Sequence, residues 1–207
     1  MLTTRHAGLS GSKYIQRGLC ASAGVALGLL APLAAQAESA RYQLDPHHSF
    51  VNIEVRHFST STVRARFDKV EGYVDMDNQE GKANTKISID TASISSGIAD
   101  FDQHLKSGDF LDVQAFPQAT FTSSDFVFTD DKITTVNGML TLLGKTLPVT
   151  LRASNFNCYD SPMLKAPVCG GDFEATINRS QWGMNWGIDP GIPDQVRLLV
   201  QVEAIKQ

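Results

Sequence analysis

Apolar and polar residues trade places with period two through most of this chain, and that alternation limits its possible folds more than any other feature. Val51, Ile53 and Val55 interleave with Asn52, Glu54 and Arg56, and Val70, Gly72 and Val74 interleave with Glu71, Tyr73 and Asp75. The same spacing pairs Ile87 with Ile89, Phe126 with Phe128, Leu140 with Leu142, Val149 with Leu151, and Val200 with Val202. Half-buried antiparallel strands alternate in this way, polar toward water and apolar toward a shared interior. Turn residues punctuate the pattern at Asp68-Lys69, from Asn78 to Gly81, and at Asp130-Asp131. A meander of such strands closes into a barrel, so the expected fold is all-β, an antiparallel β-barrel of about eight strands. Helical spacing around residues 100–108, and briefly near 180–186, predicts a short helical insert. No internal repeat, low-complexity stretch or linker divides the chain.

Gly144-Lys145-Thr146 has the letters of a phosphate-binding loop, but the frame is wrong. Gly138 and Gly144 enclose five residues instead of four, and Leu147-Pro148-Val149 continues as strand where that loop would open a helix. Gly144-Lys145 reads instead as a two-residue hairpin turn.

Residues 1–37 read as a secretory leader. Arg5, Lys13 and Arg17 stand without an acidic residue, an apolar run follows from Leu19 to Leu33, and Ala35-Gln36-Ala37 forms a cleavage site before Glu38. The run is short and poor in large side chains for a bilayer span, although a single-span anchor is the alternative. It also follows Cys20 instead of ending there, the wrong order for lipoprotein processing. The organisation expected is therefore a leader at 1–37 and one domain at 38–207, exported and without stable membrane insertion. The leader takes three of the 18 basic residues and none of the 22 acidic ones, leaving 15 against 22 and a net charge of −7. That balance disfavours nucleic acid and anionic membranes as partners. Cys158 and Cys169 remain as an even pair in an oxidising compartment and are expected to form a disulfide. Closing so short a loop contributes about 3 kcal/mol in the chain-entropy model. A metal site is the weaker alternative, since neither a C-x-x-C spacing nor a nearby histidine supports it.

The stretch from Asp102 to Phe121, DQHLKSGDFLDVQAFPQATF, concentrates constrained residues. Phe101 and Leu105 share a helical face, Asp100 or Asp102 can cap that helix, Gly108 can end it in a left-handed conformation, and Phe116-Pro117 forces extended backbone. This stretch closely resembles the signature of the YceI-like family, periplasmic lipocalin-like barrels that bind polyisoprenoid lipids. Tyr42-Gln43-Leu44-Asp45 with His48-Ser49, then Val55-Arg56-His57, resembles that family's first strands. Gly138 to Val149 resembles its central hairpin, and Asp172 to Gly183 resembles its late segment around Ile177-Asn178-Arg179-Ser180. Four matches in order, from about residue 42 to the C-terminus, carry the resemblance. Phe101, where many members carry arginine, and the cysteine-closed loop at 158–169 depart from it.

The resemblance implies a long apolar cavity holding the tail of an isoprenoid lipid such as a quinone or quinone precursor. Each buried methylene contributes about 0.8 kcal/mol, so a long tail needs a dry sleeve and few directed contacts. Candidates for that sleeve are Val51 (or Phe50), Ile53, Val55 and Phe67 on the early strands, then Phe110, Phe121, Phe126, Phe128, Leu140 and Leu142. His104, Trp182 and Trp186 are candidates for the mouth, where rings with one polar edge suit a boundary between dry cavity and water. Core filling at a barrel end is the competing reading of both tryptophans.

Chemistry has little support. His47, His48, His57 and His104 lack metal-ligand spacing, and His47 and His48 on one strand would face opposite ways. No nucleophile elbow or haem motif is present. Asp109 and Asp112 read as turn residues beside the helix, and Arg179 reads as the anchor of a buried network or a partner of Asp102. The expectation is a binding and carrier protein, without enzymatic activity or cofactor, with homodimer formation open. A filled-barrel stress or interaction module and a histidine-based metal protein are the alternatives.

Overall fold

The computed structural model describes residues 39–77, 80–189 and 191–207. The leader read at 1–37, Cys20 within it, and Asn78-Gln79 of the expected turn lie outside these residues.

The alternating segments are strands: β1 Ala40–Leu44, β2 Phe50–His57, β3 Ser61–Phe67, β4 Val70–Asp77, β5 Lys82–Asp90 and the two-residue β6 Ile94–Ser95. Helix α1 Ala99–Lys106 follows, and then come β7 Gln118–Thr129, β8 Lys132–Leu142, β9 Lys145–Ser161, β10 Ala166–Asn178 and β11 Gln195–Lys206. Eight strands, β1-β4-β5-β7-β8-β9-β10-β11, close a barrel because β1 also pairs with β11. All pairings are antiparallel.

Along its edge away from β10, the closing strand serves two neighbours. β11 pairs with β1 through Ala204–Lys206 and with β2 through Arg197–Gln201. Between these partners the chain turns over Asp45–Ser49. Asp45 accepts hydrogen bonds from the His47 backbone N–H at 2.9 Å and from the His48 ring at 2.7 Å. The two histidines thus sit in a turn sharing Asp45, not on opposite faces of a strand. Buried Ser49 bridges the gap, its hydroxyl donating to the Glu203 carbonyl at 3.0 Å and accepting from the Glu203 N–H at 3.2 Å. A side chain thus supplies ladder bonds where the backbone partner changes.

Two turns show how local chemistry sets register. Asp130 and Asp131 both take positive φ, 50° and 62°, between β7 and β8, the conformation of a type I′ hairpin. The next turn is formed by Leu143 (φ 49°) and Gly144 (φ 71°), since Lys145 already pairs with Leu142. Glycine therefore occupies the second central position, not the first, as a turn with two positive φ values favours.

Helix α1 also differs in detail. Its N-cap is Ile98, without a side-chain bond, and Asp102 instead reaches back to accept from the Ser96 N–H and hydroxyl, both at 2.6 Å. Gly108 is not left-handed. The helix ends at Ser107, whose hydroxyl donates to the His104 carbonyl at 2.8 Å. Among the described residues no helix is long and apolar enough to cross a membrane.

Candidate functional site

The inward faces of the strands do not meet in a solid core. They leave two chambers, an inner one of about 130 Å³ and an outer one of about 470 Å³. Val51, Ile89, Leu140 and Leu198 line both, so the chambers adjoin at these four side chains.

The inner chamber is apolar. Val70, Val74 and Met76 of β4, Phe121 and Phe126 of β7, and Phe156 of β9 contribute to its wall. Tyr42 and Thr85 are the polar side chains there. The Thr85 hydroxyl is spent on the Tyr73 carbonyl at 2.6 Å, and burial raises the Tyr42 phenol above its usual pKa, keeping it neutral. Cys169 also faces this chamber and is bonded to Cys158 directly across β9 and β10, with Cα atoms 4.1 Å apart. So close a spacing is that of a non-hydrogen-bonded antiparallel pair.

The outer chamber opens beside α1. Phe101 and Leu105 of the helix face it, as do Phe110 and Leu111 of the segment that follows. The Leu111 N–H donates to the Leu105 carbonyl at 3.1 Å, holding the segment after the helix against it, and the buried Thr91 hydroxyl donates to the Phe116 carbonyl at 2.7 Å, joining the two ends of the stretch that carries the helix. His104 bonds Asp109 at 2.8 Å and meets the rings of Phe110 and Trp186 edge-on, at centroid distances of 4.9 and 4.5 Å. Ile98 and Trp186, both exposed, complete the lip. Aromatic rings with a polar edge thus ring the opening.

Arg179 holds the remaining side. It is 3% exposed and lines the outer chamber, within 5.9 Å of the Phe110 ring centroid. Its guanidinium donates to the carbonyls of Met184 at 3.0 Å, Pro193 at 3.2 Å and Ile192 at 3.4 Å, gathering the loop before β11. Burial lowers its pKa, opposed by the charge of Asp194. Asp194 accepts from the Ser180 N–H and hydroxyl, both at 2.7 Å, which hold its carboxyl below the usual range. Arg179 is therefore the anchor of a buried network, and the pairing with Asp102 does not occur.

Of the residues expected from sequence, Val51, Ile53, Val55, Phe67, Leu140 and Leu142 line the outer chamber. So do His104, Phe110 and Trp186, while Phe121 and Phe126, with Val51 and Leu140 again, line the inner one. Phe50 faces outward under Arg66, whose guanidinium lies 4.3 Å from its ring centroid. Phe128 packs half-buried near the β7–β8 hairpin end and lines neither chamber. Trp182 also lines neither. It is 2% exposed, with its indole N–H directed to the Leu140 carbonyl at 3.4 Å, so core filling describes it. Ile89, Phe156, Phe173 and Leu198 are among the lining residues that the expected set lacks. The alternation of β5 and β11 pointed to Ile89 and Leu198, whereas register shifts hid the two phenylalanines. Among the described residues, no three His, Cys, Asp or Glu side chains could share a metal ion.

Comparison with known proteins agrees with this architecture. The chain is 34% identical over 188 residues to a UPF0312 protein of Pseudomonas aeruginosa, covering 89% of this chain and 97% of the relative. A Pseudomonas putida UPF0312 protein is 35% identical over 190 residues, covering 89% and 96%. Among solved structures, Burkholderia cenocepacia BcnA superposes with a TM-score of 0.63 at 23% identity, over 78% of this chain and 99% of that one. A domain from Saccharophagus degradans, described as polyisoprenoid binding, superposes with a TM-score of 0.59 at 14% identity, over 80% and 98%. The family model of the YceI-like domain matches residues 42–204, and with a barrel of this topology around it the chain belongs to the YceI-like family.

Proposed function

We propose that this protein is a periplasmic carrier that holds the apolar tail of an amphipathic isoprenoid lipid, a quinone or quinone precursor, inside the barrel. The observation that carries this reading is the pair of adjoining chambers, about 470 and 130 Å³, walled by aliphatic and aromatic side chains. A filled barrel would leave no such space, since protein interiors pack to near-crystalline density. The polar groups of the outer chamber, His57, His104, Arg56 and Arg179, lie where a head group would rest. The polyisoprenoid-binding description of the Saccharophagus degradans domain supports the same ligand class.

Export through a cleaved leader at 1–37 belongs to this reading, and the Cys158–Cys169 bond suits an oxidising compartment. Intact mass of periplasmic material should begin at Glu38, and denaturing alkylation should add no label. The ligand itself is tested by organic extraction of natively purified protein followed by mass spectrometry. One isoprenoid lipid per chain is expected. An extract without any hydrophobic ligand, together with a melting temperature unmoved by added isoprenoids of every tail length, would falsify the carrier reading.

A further inference from the structure

The chambers are unequal in chemistry as well as size, and four side chains stand between them. Leu198 of β11 and Val51 of the adjacent β2 come from one side of the barrel. Ile89 of β5 and Leu140 of β8 come from the other, flanking β7. β7 itself changes chamber at this height: Ala119, opposite Ile89, faces the outer chamber, and Phe121, opposite Leu140, faces the inner. The ring is braced from outside. Trp182 braces it behind Leu140, with its N–H on the Leu140 carbonyl, while on the inward face Ile89 has Val70, 2% exposed, as its strand neighbour. Phe121 cannot retreat toward β8, because its ring already occupies the space that a Cβ on Gly138 would take. Interiors packed this tightly yield little on the time-average.

Resting on the carrier reading, we infer that Val51, Ile89, Leu140 and Leu198 form a waist that sorts ligands by tail length. Short tails end in the outer chamber, and only longer, wholly apolar tails pass the waist to fill the inner one. No charged side chain lines that inner chamber and its threonine hydroxyl is already bonded, so beyond the Tyr42 phenol the lining side chains offer a polar group at the far end of a tail no hydrogen-bonding partner.

The consequence is a two-step dependence of affinity on length. Each methylene buried tightens binding about fourfold. Tightening should therefore proceed while the outer chamber fills, pause at the waist, resume in the inner chamber, and stop where that chamber is full. The probes are 2-alkyl-1,4-benzoquinones with tails from hexyl to eicosyl, followed by quenching of Trp186 at the lip. Ile89→Phe closes the waist and should abolish the second rise while weakening the shortest tails far less than the longest. Val136→Phe, in the inner chamber alone, should keep the pause and shorten the second rise. Ala119→Phe, in the outer chamber alone, should weaken every tail. All three are compared as variants that still melt cooperatively, and Leu198→Phe replaces Ile89→Phe if the latter does not fold. A single even rise in wild type, or equal weakening of short and long tails by the waist variant, overturns the waist while leaving the carrier reading intact. Failure of wild type to bind any tail removes both.

Discussion

Ser49 is small, neutral and fully buried, yet the closure of the barrel depends on it. Its hydroxyl satisfies the Glu203 N–H at the point where β11 changes partner, so Ser49→Ala leaves that buried donor without a bond. The expected cost is about 1–3 kcal/mol in urea denaturation. Gly138→Ala acts through space instead. A methyl group there must displace the Phe121 ring or the Thr122 carbonyl, 2.7 Å away, and overpacking of this kind costs about 1–3 kcal/mol. Asp194 carries a pH dependence. Ser180 holds its carboxyl below the value of the unfolded chain, so the stabilisation is present above the ordinary aspartate range and is lost as pH falls through the lowered value. Asp194→Asn should lower the melting temperature at neutral pH and flatten its acid decline, measured by calorimetry across pH.

At the scale of elements, much was legible because a half-buried strand announces its inward face every second residue. β2, β8 and the start of β7 obey that rule, and Val51, Leu140 and Phe121 face inward as it requires. The rule fails at bulges. On β9, Ala153 and Asn155 oppose Phe173 and Asp172, so Ser154 is an extra residue and the inward positions change from Val149 and Leu151 to Phe156. A similar shift between Thr122 and Asp125 moves β7 from Phe121 to Phe126. Alternation in sequence gives no warning of such a slip, because the pairing partner decides it. The helix caps were misread for a related reason. Spacing offers Asp102 the helix cap or Arg179, and the position of Ser96, which spacing does not give, assigns it a third role. Turn chemistry gives a prediction of its own. Asp130-Asp131 holds two non-glycine residues at positive φ, so Asp131→Gly, giving the Asp-Gly pair favoured in such turns, should stabilise by about 0.5–2 kcal/mol. Thermal unfolding of the single variant checks this.

For the molecule as a whole, the disulfide and the closing strand matter most. Cys158 and Cys169 are separated by 11 positions and join the long β9–β10 hairpin beside the inner chamber. Replacing both should cost about 2–4 kcal/mol, read from denaturant midpoints, and dithiothreitol should reproduce the effect on the unaltered chain. The double service of β11 bears on the order of events during synthesis. Its partners β1 and β2 lie far earlier in the sequence, so the ring cannot shut until β11 has been made. Until then β1, β2 and β10 present unpaired edges, and contacts so distant along the chain fold on the slow scale of milliseconds to seconds. A polypeptide still lacking β11 therefore stays open and threadable, and that strand determines when it becomes a vessel.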